Sequence, residues 1–249
     1  MLGTIDIING ITTTIIIGVF SATGIRMILK YKKTRHIALL LFGILWIGLV
    51  LNFYPIIISF WGYIFFRTVL SLEQILFIDS LTAFVLVVGI WAWSELVWKK
   101  RQKILIITFS IISIPIFCFF FYNTLHNPSF LGKIEGLISP RYGIISLTYL
   151  TFCTIIAIIT GYLFYRQTRD AYKPEIRLKG LMVWIAFVVY FTGGLFDGLL
   201  PLRVENIIIT RIIMVVGSIL FLFGFFPPKF AIKFMNKREE NKQTSLLIE

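Results

Sequence analysis

Residues 75–103 read ILFIDSLTAFVLVVGIWAWSELVWKKRQK, and this stretch contains the pattern that decides the fold. Residues 75–98 are mostly apolar and long enough for a helix to cross about 30 Å of hydrocarbon, which takes about 20 residues. Lys99, Lys100, Arg101 and Lys103 follow at once. An apolar stretch that ends in a basic cluster is typical of a transmembrane helix that ends at the cytoplasmic membrane surface.

The same pattern recurs along the whole chain. Nineteen of its 24 Lys and Arg residues fall in four clusters, at 26–35, 99–103, 166–179 and 229–242. The chain is 58% hydrophobic and only 14% charged, whereas a soluble domain usually carries about 25% charged residues. So much apolar surface excludes a soluble domain and predicts an all-α integral membrane protein.

The apolar stretches predict a bundle of seven transmembrane helices. The predicted spans are about 5–29, 37–58, 75–98, 104–122, 142–165, 180–200 and 207–226. The basic clusters fall on every second connection, which predicts an outside N-terminus and an inside C-terminus. We therefore expect a multi-pass protein of the cell membrane, and its Ile, Phe and Lys bias suggests a prokaryotic source.

The connections and the C-terminus give the predicted domain organisation. Residues 1–228 form the transmembrane domain, with an interfacial outer segment at 59–74 and a second outer segment at 123–140 that caps the bundle. Residues 229–238 predict a basic amphipathic helix on the inner membrane surface, because their lysines recur every four residues. Residues 239–249 are polar and predict a disordered tail.

The net charge of +12 bears on partners. The basic residues border apolar spans, which argues against nucleic acid and favours anionic lipid headgroups as the partner. Docking of a cytoplasmic signalling partner on the same loops is the alternative. Neither cysteine is expected in a disulfide, and the sequence predicts no metal site and no cofactor, since it has only two histidines and no Cys/His cluster.

Ionisable groups at membrane depth are the candidate functional residues, because each costs several kcal/mol unless it is paired or hydrated. The outer set is Asp79, Asp197 and Arg211, which we expect at similar depth. A short connection makes the last two spans neighbours, so an Asp197–Arg211 pair is natural. Such a set can hold the bundle together or line a pocket for a polar ligand.

The inner set is Arg26 and Glu95. Each lies four residues before a lysine that marks the membrane boundary, hence about 6 Å inside it. If spans one and three are adjacent, the two residues can form an ion pair. Alternatively, Arg26 extends to the interface and Glu95 reaches the headgroups.

Motifs in the last two spans carry a resemblance. Residues 193–197 read GGLFD, and Pro201 follows. The second motif, at residues 217–227, begins with Gly217 and ends with the residues GFFP. This pattern resembles the seven-helix sensor modules at the N-terminus of archaeal and other prokaryotic sensor kinases. The resemblance implies a bundle that binds a ligand and signals through a cytoplasmic partner.

Three functions follow as hypotheses. The first is a receptor- or sensor-like protein with a ligand in its outer half. The second, which is the alternative, is a small solute transporter, and this function requires a polar site near the middle of the membrane. The third is an intramembrane enzyme, for which Asp79 and Asp197 are the only plausible pair of carboxylates.

Overall fold

The computed structural model describes residues 2–171 and 173–228. The predicted amphipathic helix at 229–238 and the predicted tail at 239–249 lie outside the described residues.

The prediction of seven apolar helices is confirmed for the described residues. Their seven segments that are long and apolar enough to cross a membrane are Thr4–Thr34, Ile37–Phe66, Leu72–Val97, Lys99–His126, Ile144–Thr168, Pro174–Leu199 and Val204–Phe225. The chain is thus a multi-pass membrane protein built as a helical bundle.

Ten α-helices make up these segments and their connections. They are α1 (Thr4–Thr34), α2 (Ile37–Leu49), α3 (Tyr54–Phe66), α4 (Leu72–Ser80), α5 (Thr82–Val97), α6 (Gln102–His126), α7 (Pro128–Leu131), α8 (Ile144–Thr168), α9 (Pro174–Leu199) and α10 (Val204–Phe225). The second segment is broken between α2 and α3 by a 3₁₀ turn at Leu51–Phe53. Pro55 lies in the first turn of α3, where its missing N–H costs no helical hydrogen bond.

The second segment also extends further than the sequence predicted. It continues to Phe66, so residues 59–66 prolong the span instead of forming a separate interfacial segment. Arg67 then ends α3 in the left-handed conformation. Ser71 caps α4, because its hydroxyl accepts from the Gln74 N–H while the Gln74 side chain accepts from the Ser71 N–H.

A small β-hairpin adds to the predicted all-α fold. Strands β1 (Gly132–Glu135) and β2 (Ser139–Tyr142) pair antiparallel within the segment predicted to cap the bundle. Gly136 supplies the positive φ of 73° in the turn. We call this end of the bundle the hairpin end, and the opposite end, which holds the connections α1–α2, α5–α6 and α8–α9, the basic end.

The centre of the bundle is built from α1, α2, α9 and α10. Its fully buried side chains include Phe20, Trp46, Met214 and Phe221, and Trp46 packs edge-to-face against the Phe221 ring at 4.8 Å. Helices α6 and α8 lie at the periphery, since only 11% of the most apolar stretch of each is buried.

Helices α9 and α10 approach each other closely at two glycines. A Cβ atom at Gly217 would lie 2.8 Å from the Cα of Tyr190, and one at Gly193 would lie 2.8 Å from Cγ of Met214. Only glycine allows this spacing, as at other close helix contacts in membranes. This packing holds the two helices that carry Asp197 and Arg211 side by side.

Candidate functional site

A buried ion pair links α9 and α10 near the hairpin end. Arg211 Nη2 lies 3.0 Å from Asp197 Oδ2, and the Thr210 hydroxyl donates to Asp197 Oδ1 at 2.9 Å. The Arg211 side chain is 3% exposed and that of Asp197 is 21% exposed. Removing one partner of such a pair leaves an uncompensated charge in a medium of low dielectric constant.

The pair extends into α1 and the hairpin through one asparagine. Arg211 Nη2 also donates to Asn9 Oδ1 at 2.8 Å, and Asn9 Nδ2 donates to the Ser139 hydroxyl at 2.8 Å. Asn9 is 2% exposed and Ser139 is 2% exposed. A continuous chain of hydrogen bonds therefore runs from the hairpin through α1 to α10, and the ion pair continues it to α9.

Arg211 keeps unused donor capacity. Its Nε has no hydrogen-bond partner among residues 2–171 and 173–228, and its Nη1 makes a contact of 4.0 Å with the sulfur of Met214. The guanidinium also lies over the Phe53 ring, 4.7 Å from its centroid, which is a favourable cation–π geometry. A buried arginine with an unpaired N–H can bind a further acceptor at low cost.

The ion pair borders a cavity of about 230 Å³ between α2, α5, α8, α9 and α10. At the hairpin end the cavity reaches Arg141 and Asn206, and in the other direction it reaches Trp93 and Phe225. Trp93 lies one helical turn from the end of α5, so the cavity extends toward the basic end. Its middle is lined mainly by apolar side chains, as in pockets that bind small molecules.

Asp79 belongs to a neighbouring contact. The Tyr142 hydroxyl donates to Asp79 Oδ2 at 3.0 Å, whereas Asp79 Oδ1 has no hydrogen-bond partner in the part of the chain that the structure describes. Burial raises the pKa of Tyr142 well above its usual value, and the Asp79 carboxylate adds to the effect. Tyr142 therefore stays protonated and ties the end of β2 to α4.

The outer set is thus divided between two contacts. Asp197 and Arg211 form one ion pair, while Asp79 binds Tyr142 and has no ion pair within the described residues. The two carboxylates predicted as an enzymatic pair have different partners.

The predicted Arg26–Glu95 pair is not formed. Glu95 Oε1 instead lies 2.7 Å from Lys99 Nζ, and Gln102 Nε2 donates to Glu95 Oε2 at 2.7 Å. The Arg26 guanidinium lies over the Phe226 ring, 4.2 Å from its centroid. Helix α1 packs on α2, α3 and α10 rather than on α5, so the two side chains project toward different neighbours.

Sequence reasoning missed Asn9, Ser139 and Tyr142. Asn9 lies in the first apolar span and is the amide side chain that meets Arg211. A rule that counts amides as well as charges at membrane depth would have found it. Ser139 and Tyr142 carried no such signal, because only the hairpin brings them to the bundle.

The described residues contain no group of three or more His, Cys, Asp or Glu side chains that could hold a metal ion. The thiols of Cys118 and Cys153 are both free. Searches of protein-family models, of curated proteins and of solved structures found no match to this chain.

Proposed function

We propose that this chain is a receptor- or sensor-like membrane protein that binds a small ligand in the cavity beside Asp197 and Arg211. The observation that carries the proposal is the cavity itself, of about 230 Å³, bordered by a buried arginine with an unused donor. A closely packed structural ion pair would leave neither the space nor the unpaired N–H.

The position of Arg211 supports a signalling role. Its side chain bonds to α1 through Asn9 and to α9 through Asp197. A ligand that accepts from the unpaired Nε of Arg211 contacts a side chain that joins three helices. We propose that it binds two arrangements of these helices with different affinity, which is the requirement for shifting a population.

We further propose that the hairpin end faces outward and the basic end faces the cytoplasm of a prokaryotic cell. The distribution of Lys and Arg supports this orientation. The basic connections would then contact anionic headgroups and a cytoplasmic signalling partner. In a variant without the natural cysteines, Thr34→Cys and Ser129→Cys should react with impermeant reagents from opposite sides, and reaction from one side would contradict the topology.

Gly194 offers a direct test of the cavity. It lines the cavity, and a Cβ there would meet only Met214 Cε within 4 Å, at 3.9 Å. Leucine at this position should fill the cavity without moving the backbone. Gly18 is the matched control, because it is an exposed helical glycine with nothing within 4 Å of an added Cβ.

The experiment measures the thermal unfolding of wild type, Gly194→Leu and Gly18→Leu with a panel of small ligands. We expect at least one ligand to raise the Tm of wild type and of Gly18→Leu. The same ligand should not raise the Tm of Gly194→Leu. Ligand shifts that persist in Gly194→Leu would exclude this cavity as the binding site.

A small solute transporter is the second candidate. The observation that favours it is the length of the cavity, from Arg141 at the hairpin end to Phe225 at the basic end. Solute flux into liposomes that Gly194→Leu blocks and Gly18→Leu leaves intact would favour this function over the receptor.

A further inference from the structure

We infer that the ligand is a small single-chain amphiphile whose head carries a hydrogen-bond-accepting oxygen and which enters from the lipid phase. The inference rests on the proposed function, since it assigns a chemical class to the ligand of the same cavity.

Three residues that line the cavity carry buried hydrogen-bond donors without a partner among the described residues. Arg211 Nε, Tyr190 Oη and Trp93 Nε1 are buried and have no hydrogen-bond partner within residues 2–171 and 173–228. All three residues line the cavity. The arginine and tryptophan nitrogens can only donate, and a buried donor without a partner destabilises the protein. A ligand with acceptor oxygens relieves this cost.

The charge balance excludes a cationic head. The positive charge of Arg211 is offset by Asp197, whose Oδ1 accepts from Thr210 and whose Oδ2 forms the ion pair with Arg211. A cation would lie against the guanidinium in a medium of low dielectric constant, where like charges repel strongly. A neutral carbonyl, or a carboxyl group in its protonated form, can accept from the Nε N–H without displacing Asp197.

The remainder of the cavity fits an apolar chain of limited size. Leu86 of α5, Leu150 and Ile156 of α8, and Phe191 of α9 are among its lining residues. Its volume of about 230 Å³ is below the roughly 300–1,000 Å³ of pockets for drug-sized molecules. A single short chain fits this space better than a phospholipid with two acyl chains.

The seam between α5 and α8 is the proposed route of entry. Both helices line the cavity, yet α8 packs extensively on α9 and only slightly on α5. Their outward faces carry exposed apolar side chains, including Trp91 on α5 and Phe152 and Ile155 on α8. An amphiphile dissolved in the bilayer therefore meets this seam directly.

The test uses decanoic acid with a terminal diazirine as a photoreactive probe, added to the protein in phosphatidylcholine nanodiscs. Labelled peptides are identified by mass spectrometry, and decanoate, 2-undecanone, decylamine and decane compete for labelling. We expect labels on α5 and α8. Decanoate and 2-undecanone should compete at concentrations at least tenfold lower than decylamine and decane.

Tyr190→Phe tests the head contact separately from packing. It keeps the ring that packs 4.8 Å from Phe20 and removes the unpaired hydroxyl. We expect a five- to tenfold loss of decanoate affinity together with a higher Tm of the unliganded protein. If Tyr190 had only a structural role, its replacement by Phe would not lower the decanoate affinity while raising the Tm. Tyr162→Phe, on an exposed part of α8, is the control.

The outcomes separate the two proposals. Equal competition by decylamine or decane, or unchanged decanoate affinity in Tyr190→Phe, would overturn the assigned ligand class but not the cavity as the binding site. Labelling that Gly194→Leu does not reduce would overturn the cavity as the binding site and the proposed function with it.

Discussion

The hairpin end and the basic end of the bundle hold their charges in different ways. At the hairpin end Arg211 is almost fully buried and bonds to both Asp197 and Asn9. At the basic end Glu95 pairs with Lys99, which lies one helical turn further along the chain. The Lys99 side chain is 73% exposed. One ion pair joins different helices, whereas the other joins residues four apart in the sequence.

The comparison shows how far equal membrane depth can predict an ion pair. Both predicted pairs were matched in membrane depth, but only α9 and α10 are joined by a short connection and pack closely. Arg26 and Glu95 lie on helices that face different neighbours, so Glu95 pairs with Lys99 while Arg26 lies over the Phe226 ring. Equal depth allows a pair, and helix adjacency decides whether it forms.

The largest expected effect is that of Asp197→Ala. It leaves Arg211 buried without its counter-charge, and we expect the free energy of unfolding to fall by about 3 kcal/mol. Glu95→Ala should lower it by about 0.5 kcal/mol or less, because the Lys99 partner is exposed to solvent. Reversible unfolding in mixed micelles measures both values.

A double variant serves as the control for this comparison. Asp197→Leu combined with Arg211→Met removes both charges. This double variant should recover most of the free energy of unfolding that Asp197→Ala loses. Equal losses in Asp197→Ala and Glu95→Ala would show that the two ends do not differ in the way described.

A smaller effect is expected from Tyr142→Phe, which removes the hydrogen bond to Asp79. We expect a loss of about 1 kcal/mol, as for a single hydrogen bond. In a double-mutant cycle with Asp197→Ala the two losses should add to within about 0.5 kcal/mol, since the Asp79 and Asp197 contacts share no hydrogen-bond partner. A coupling above about 1 kcal/mol would join Asp79 to the Arg211 network.

The smallest expected effect is a dependence on pH at the hairpin. Arg141 donates to Glu135 Oε1 at 2.9 Å, and this hydrogen bond lowers the pKa of Glu135 below its usual value. Because the folded-state pKa is the lower one, the stabilisation is complete above the ordinary carboxyl pKa of about 4.3. It is lost as the pH falls through the folded-state value.

Hydrogen exchange of residues 132–142 measures this effect. We expect faster exchange at acidic pH in wild type, after correction for the intrinsic rate, and no such change in Glu135→Gln. A wild-type hairpin with corrected exchange that is constant across this pH range would contradict the assignment.

The predictable part of the candidate site follows from chain proximity. Asp197 and Arg211 are joined by a short connection, so their pairing could be inferred from the sequence. Asn9 lies 202 residues from Arg211 and 130 from Ser139, and no local pattern connects them. The cavity was also beyond prediction, because it depends on how loosely α5 and α8 pack.

The hairpin illustrates the same limit. Residues 132–142 contain turn-forming and charged residues, but their pairing depends on contacts with the N-terminal turn of α1. Asp6 Oδ1 accepts from the Leu137 N–H at 3.3 Å and helps to hold the hairpin on the bundle. An isolated two-stranded hairpin has little stability in water, so a sequence pattern alone cannot establish one.

The amino-acid sequence by itself determined the number of apolar helices, because the apolar length needed to cross a membrane is a property of each segment alone. The tertiary structure decided which buried groups meet, how Asp79 was separated from Arg211, and where space remains between helices. These features depend on the orientation and spacing of side chains on different helices, which are set by packing such as that of Tyr190 on Gly217.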